Sequence, residues 1–150
     1  MAFGSTHYPR PWQWVTSPHQ GVDFVVDDTG IVIAIAEGKV LVVGGVGLRE
    51  VGREILVAHP TIDRWVGYQH LATVDVQIGD VVRRGQVLGT AVRPGHNVGA
   101  AVGPSNWIPH VHVEICLADC SVLRLEDPMR YIRACISKAG PTDVVYPVPC

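Results

Sequence analysis

Residues 109–115 read PHVHVEI, and the alternation in that stretch decides what the chain is built from. In an extended strand, residues i and i+2 point to the same face, so His110 and His112 share one face while Val111 and Val113 share the other. A valine face seeks the core and a histidine face does not. Two imidazoles side by side on the open face can converge on one metal. Alternatively, one can bind while the other does chemistry, or both can simply face solvent.

The same alternation runs outward along the chain. GVDFVV (21–26), GIVIAIA (30–36), KVLVVGG (39–45), REILVAH (53–59), RWVGYQHL (64–71), VDVQIG (74–79), QVLGTAV (86–92) and HVHVEICL (110–117) are short, rich in Val and Ile, and punctuated by Gly or Asp. That pattern predicts a mainly β domain: an antiparallel sheet with tight turns. DDTG (27–30) and AEGK (36–39) read as hairpin turns, since Asp and Gly tolerate the backbone angles such turns need. One helix is expected near the C-terminus, in EDPMRYIRACISKAG (126–140), with Asp127 as N-cap, Pro128 at the first helical position and Gly140 as a stop. Residues 93–109, RPGHNVGAAVGPSNWIP, have no periodicity and form a long loop of the kind that more often carries function than not.

At 150 residues the chain suits a single domain, with a core over about 17–132, an N-terminal segment 1–16 and a Pro-rich tail 141–150. Its 47% apolar and 17% charged residues suffice for a buried core and argue against disorder. A net charge of -2 argues against nucleic-acid or anionic-membrane binding, both of which need a basic field. No run approaches the ~18 apolar residues of a membrane span, so no insertion is expected. The first twenty residues have neither the basic start nor the apolar stretch of a secretory signal. Synthesis in the cytoplasm follows as the expectation, with Cys116, Cys120, Cys135 and Cys150 as thiols rather than bridges.

Among the remaining histidines, His59 at the end of LVAHP reads as structural, and His70 in YQHL sits at the end of an alternating segment beside Tyr68. His19 and Asp23 stand four apart in HQGVD. In a straight strand they would lie about 13 Å apart, too far to share an ion, but Gly21 permits a bend that brings both inward. Imidazole, carboxylate and imidazole would suit a catalytic zinc with one position left open.

Taken in order, HQGVD, YQHL, VQIGDVVRRGQVLG and HVHVE resemble the LytM-type (lysostaphin-like, M23) zinc metallopeptidases, whose pattern runs H-x-G-x-D, Y-x-H-L, G-D-x-V-x-x-G-Q-x-x-G and H-x-H. Glu114 and the pair Asp127–Pro128 also fit, and the likeness covers roughly residues 17–132. The resemblance implies a groove walled by loops on an antiparallel sheet. It further implies His19, Asp23 and His112 as ligands of Zn2+, His110 and His70 as catalytic histidines, and bacterial peptidoglycan as substrate. The segment before H-x-H departs from the family's short Gly- and Ser/Thr-rich form, so substrate preference does not carry over. A wall peptidase made without a signal would reach its substrate after lysis, by holin-dependent release or as part of a phage virion. Two rivals remain at this level. One is a non-catalytic LytM-like module that binds the wall or a partner hydrolase. The other is a biotinyl or lipoyl carrier domain, for which Lys39 would be the turn lysine and which leaves every histidine unexplained.

Overall fold

The computed structural model describes residues 20–44, 52–95, 97–98, 101–102, 108–117 and 125–130. Eight strands carry the main architecture: β1 (Val22–Val25), β2 (Ile31–Ile33), β3 (Gly38–Gly44), β4 (Arg53–His59), β5 (Arg64–Val74), β6 (Val81–Val82), β7 (Val87–Ala91) and, after a two-stranded ladder of β8 (Asn97–Val98) and β9 (Ala101–Val102), β10 (His110–Cys116). A short β11 (Leu125–Glu126) follows. The main sheet is antiparallel and runs β1-β10-β5-β4-β3-β6, with β11 added beside β10, and β7 joining β5 to β2.

The alternation read from sequence becomes the two faces of this sheet. Val111, Val113 and Ile115 of β10, Val66 and Tyr68 of β5, and Ile55 and Val57 of β4 are buried in one cluster. The opposite face carries His110, His112 and Glu114 of β10, with Gln69 and Gly67 of β5 in register beside His112 and Glu114. Within the core, one polar chain is fully satisfied. The Ile35 N–H donates to the Tyr68 hydroxyl (3.1 Å), which donates to His59 Nε2 (3.1 Å), whose Nδ1–H donates to the Glu37 carbonyl (3.1 Å). Burial holds the His59 pKa low, keeping the ring neutral as this chain requires, and pushes the Tyr68 hydroxyl up. His59 is thus structural.

Several sequence expectations meet corrections. DDTG does form a turn, with Asp27 Oδ1 accepting the Thr29 N–H (2.9 Å) and Gly30 at φ 67°. It is not a hairpin, however, because β1 pairs with β10 while β2 pairs with β7. AEGK likewise joins strands that do not pair, and Lys39 lies in β3 rather than in a turn. VDVQIG leaves the strand after Val74: Asp80 Oδ2 accepts the Gln77 N–H (2.8 Å) and Gly79, at φ 94°, donates to the Val40 carbonyl, so the segment closes a turn instead. The long loop 93–109 contains the β8–β9 ladder. Cys116 is disulfide-bonded, contrary to the expectation of a thiol, and its partner lies outside the described residues. The helix expected over 126–140 falls mostly on residues 131–150, outside the described residues; at its expected start Asp127 Oδ1 accepts the Met129 N–H (2.9 Å).

Candidate active site

β10 sits between β1 and β5, and that placement assembles the site. Asp23 of β1 lies directly opposite His112, and Val25 opposite His110. His112 Nδ1 is 2.8 Å from Asp23 Oδ1, and its Nε2 is 3.2 Å from Glu114 Oε1. Burial opposes a charge on His112, but the hydrogen bonds to Asp23 and Glu114 outweigh it and raise its pKa to about 9.

His110 occupies the next position on the same face. Its Nδ1–H donates to the Ile108 carbonyl (2.7 Å), which leaves the Nε2 lone pair 3.8 Å from Asp23 Oδ1. Burial lowers the His110 pKa, partly offset by the Ile108 carbonyl and the Asp23 charge. The ring is a neutral base at neutral pH, with its acceptor atom inside the site.

His70 arrives by a different device. β5 pairs with β10 through Trp65–Gln69 and with β7 from Leu71 onward, so the strand changes neighbour at His70. Against β4, Ile55 faces Tyr68 and Arg53 faces Leu71, which puts one extra residue on β5 and makes a bulge at Gln69–His70. His70 takes φ 65°, a left-handed conformation that costs a non-glycine residue roughly 1–2 kcal/mol. Its carbonyl accepts the Val92 N–H (2.8 Å), and the chain at Gly52 passes so close that a Cβ there would lie 2.8 Å from the His70 carbonyl carbon. Held in this way, the His70 ring stands edge-on to His110, with centroids 4.9 Å apart, and 5.9 Å from His112.

Four of the five residues singled out in the sequence, Asp23, His70, His110 and His112, thus come together from three strands. The fifth, His19, lies outside the described residues. Among the described residues no three metal-binding side chains form a cage; Asp23 and His112 supply two donors, oxygen and nitrogen, of the kinds zinc takes. Two further residues support the site: Glu114, which fits the family pattern in sequence but had no role there, and Gly52. The Glu114 contact with His112 was foreshadowed by their shared strand face, whereas Gly52 meets His70 only through the fold.

Comparison with known proteins identifies the family and the fold. The model of Peptidase family M23 matches residues 17–122. The chain is 29% identical over 133 residues to lysostaphin of Staphylococcus staphylolyticus, covering 87% of this chain and 25% of lysostaphin. It is 30% identical over 120 residues to the glycyl-glycine endopeptidase ALE-1 of Staphylococcus capitis, covering 77% of this chain and 29% of that one. It therefore spans about a quarter of the length of these relatives. Among solved structures, the catalytic domain of the antimicrobial peptidase lysostaphin from Staphylococcus simulans superposes with a TM-score of 0.66 at 25% identity, covering 89% of this chain and 90% of that one. A zinc-containing peptidase from Vibrio cholerae gives 0.58 at 25% identity, covering 86% of this chain and 35% of that one.

Proposed function

Because the chain belongs to peptidase family M23, we propose that it is a zinc-dependent endopeptidase hydrolysing cross-links or stem peptides of bacterial peptidoglycan. In this reading His19, Asp23 and His112 hold the zinc, and His110 and His70 are the catalytic histidines. The observation that supports it most is the convergence of His70 and His110 beside the Asp23–His112 pair.

Bound zinc would supply Lewis acidity, polarising the scissile carbonyl and lowering the pKa of water to about 7. The chain's own residues do the rest. His110 Nε2 accepts the proton of the attacking water, since its Nδ1 already donates to the Ile108 carbonyl. The imidazolium so formed lies within reach of the Asp23 charge, which stabilises it until the proton passes to the leaving amine. His70, across from His110, donates to the oxygen that gains charge as the amide carbon becomes tetrahedral.

The deciding experiment is the zinc content of the purified protein, paired with clearing of peptidoglycan before and after chelation. About one zinc per chain, with clearing abolished by chelator and restored by zinc, is the expected result. Clearing that persists in the metal-free protein would overturn the proposal.

A further inference from the structure

We infer that Glu114 is a positioning residue for His112, holding the ring so that it presents Nδ1, not Nε2, to the metal. The inference rests on the zinc reading above and adds to it the coordinating atom and the residue that sets it.

The two nitrogens of His112 face different surroundings. Nδ1 points to Asp23 Oδ1 at 2.8 Å, on the side where His110 Nε2 lies 3.8 Å from the same oxygen. Nε2 points away, to Glu114 Oε1 at 3.2 Å. The Nε2 edge is also roofed by the chain at Gly21: a Cβ added there would lie 2.7 Å from Nε2, 2.9 Å from Cε1 and 2.3 Å from the Val113 carbonyl oxygen. A metal with its remaining ligands has no room on that edge. The other edge faces the Asp23 carboxylate and, beyond it, His110 Nε2.

Glu114 reaches Nε2 because it follows His112 by two residues on the same strand face. Its cross-strand neighbour is Gly67, where a Cβ would come no nearer than 3.8 Å to Glu114 Cβ among the described residues, so the carboxylate is not displaced from that side. With a metal on Nδ1, the remaining proton of the neutral ring sits on Nε2 and donates to Glu114. That bond fixes the tautomer, orients the ring and makes Nδ1 a stronger donor. The glycine of H-x-G-x-D thereby gains a physical reason: it lets the strand carrying Asp23 lie against the back of His112.

The test compares wild type with Glu114→Ala and Glu114→Gln. Zinc affinity would be measured by competition with a chromophoric chelator, and the coordinating nitrogen by 15N NMR of the zinc-loaded protein. Wild type should show His112 metallated at Nδ1 with a protonated Nε2. Glu114→Ala should bind zinc about 10- to 100-fold more weakly. Glu114→Gln, which keeps an acceptor oxygen, should recover most of that loss while retaining the wild-type circular dichroism spectrum. Should Glu114→Ala fail to fold, the nitrogen assignment in wild type and the Gln rescue still decide. Zinc on Nε2, or unchanged affinity in Glu114→Ala, or no rescue by Gln, overturns the inference and leaves the zinc reading standing. Wild type that binds no zinc overturns both, and is recognised before any variant is made.

Discussion

Each histidine at the site is set by what its second nitrogen or its backbone does. His110 is held by a carbonyl and His112 by two carboxylates, and His70 stands on a left-handed backbone turn. These differences predict separable variants. Asp23→Ala or His112→Ala should lose zinc and activity together, as read by metal content and peptidoglycan clearing. His110→Ala or His70→Ala should keep zinc and lose turnover by ~10²–10⁴-fold, the usual worth of acid–base assistance. Loss of zinc in His110→Ala would reverse the assignment of ligand and base. The raised pKa of His112, about 9, also fixes a sign. Below that value zinc must displace a proton, so zinc affinity should rise with pH, by at most about tenfold per unit, and level off near 9. The metal-free protein should behave oppositely in stability. His112 is raised from 6.5, so its contribution is full below 6.5 and lost as pH rises through 9. His59 and His110 are lowered from 6.5, so theirs is lost as pH falls below that value. Thermal denaturation of the metal-free protein should therefore show a maximum near pH 6.5.

Strands and their glycines decide how closely these side chains can meet. Gly21 and Gly52 are both sites of close approach: Gly21 lies over His112 and Gly52 against the His70 backbone at φ 95°. Gly52→Ala would press on the left-handed turn that aims His70. It should lower turnover more than it lowers zinc affinity, a difference measurable on one preparation. Gly67 is the contrast. It lies in the middle of β5 outside the left-handed region, and a Cβ added there would meet no atom of the described residues except Glu114 Cβ, at 3.8 Å. Gly67→Val should leave the melting temperature unchanged or raised, because valine favours a strand and glycine does not. A drop of several degrees would mean that something else occupies the space above that face.

For the molecule as a whole, the order of strands, rather than any one of them, assembles the proposed site. β10 between β1 and β5 gathers Asp23, His112, His110 and His70, residues that span 23 to 112 in the chain. The same order shows why neither DDTG nor AEGK joins a hairpin: DDTG does form a turn and AEGK runs into β3, but the strands on either side of each pair elsewhere in the sheet.

The sequence by itself determined the strands, their buried and open faces, and the residue types of the site. A period of two and a motif's spacing are local properties, written in consecutive residues. It could also place His110, His112 and Glu114 on one face, because all three belong to one strand. Only the tertiary structure decided that Asp23 pairs opposite His112, that β5 changes partner at His70, and which nitrogen of each histidine is held. Those outcomes depend on register and bulges between strands distant in sequence. They are chosen by the packing of the whole sheet, and no short stretch of the chain encodes them.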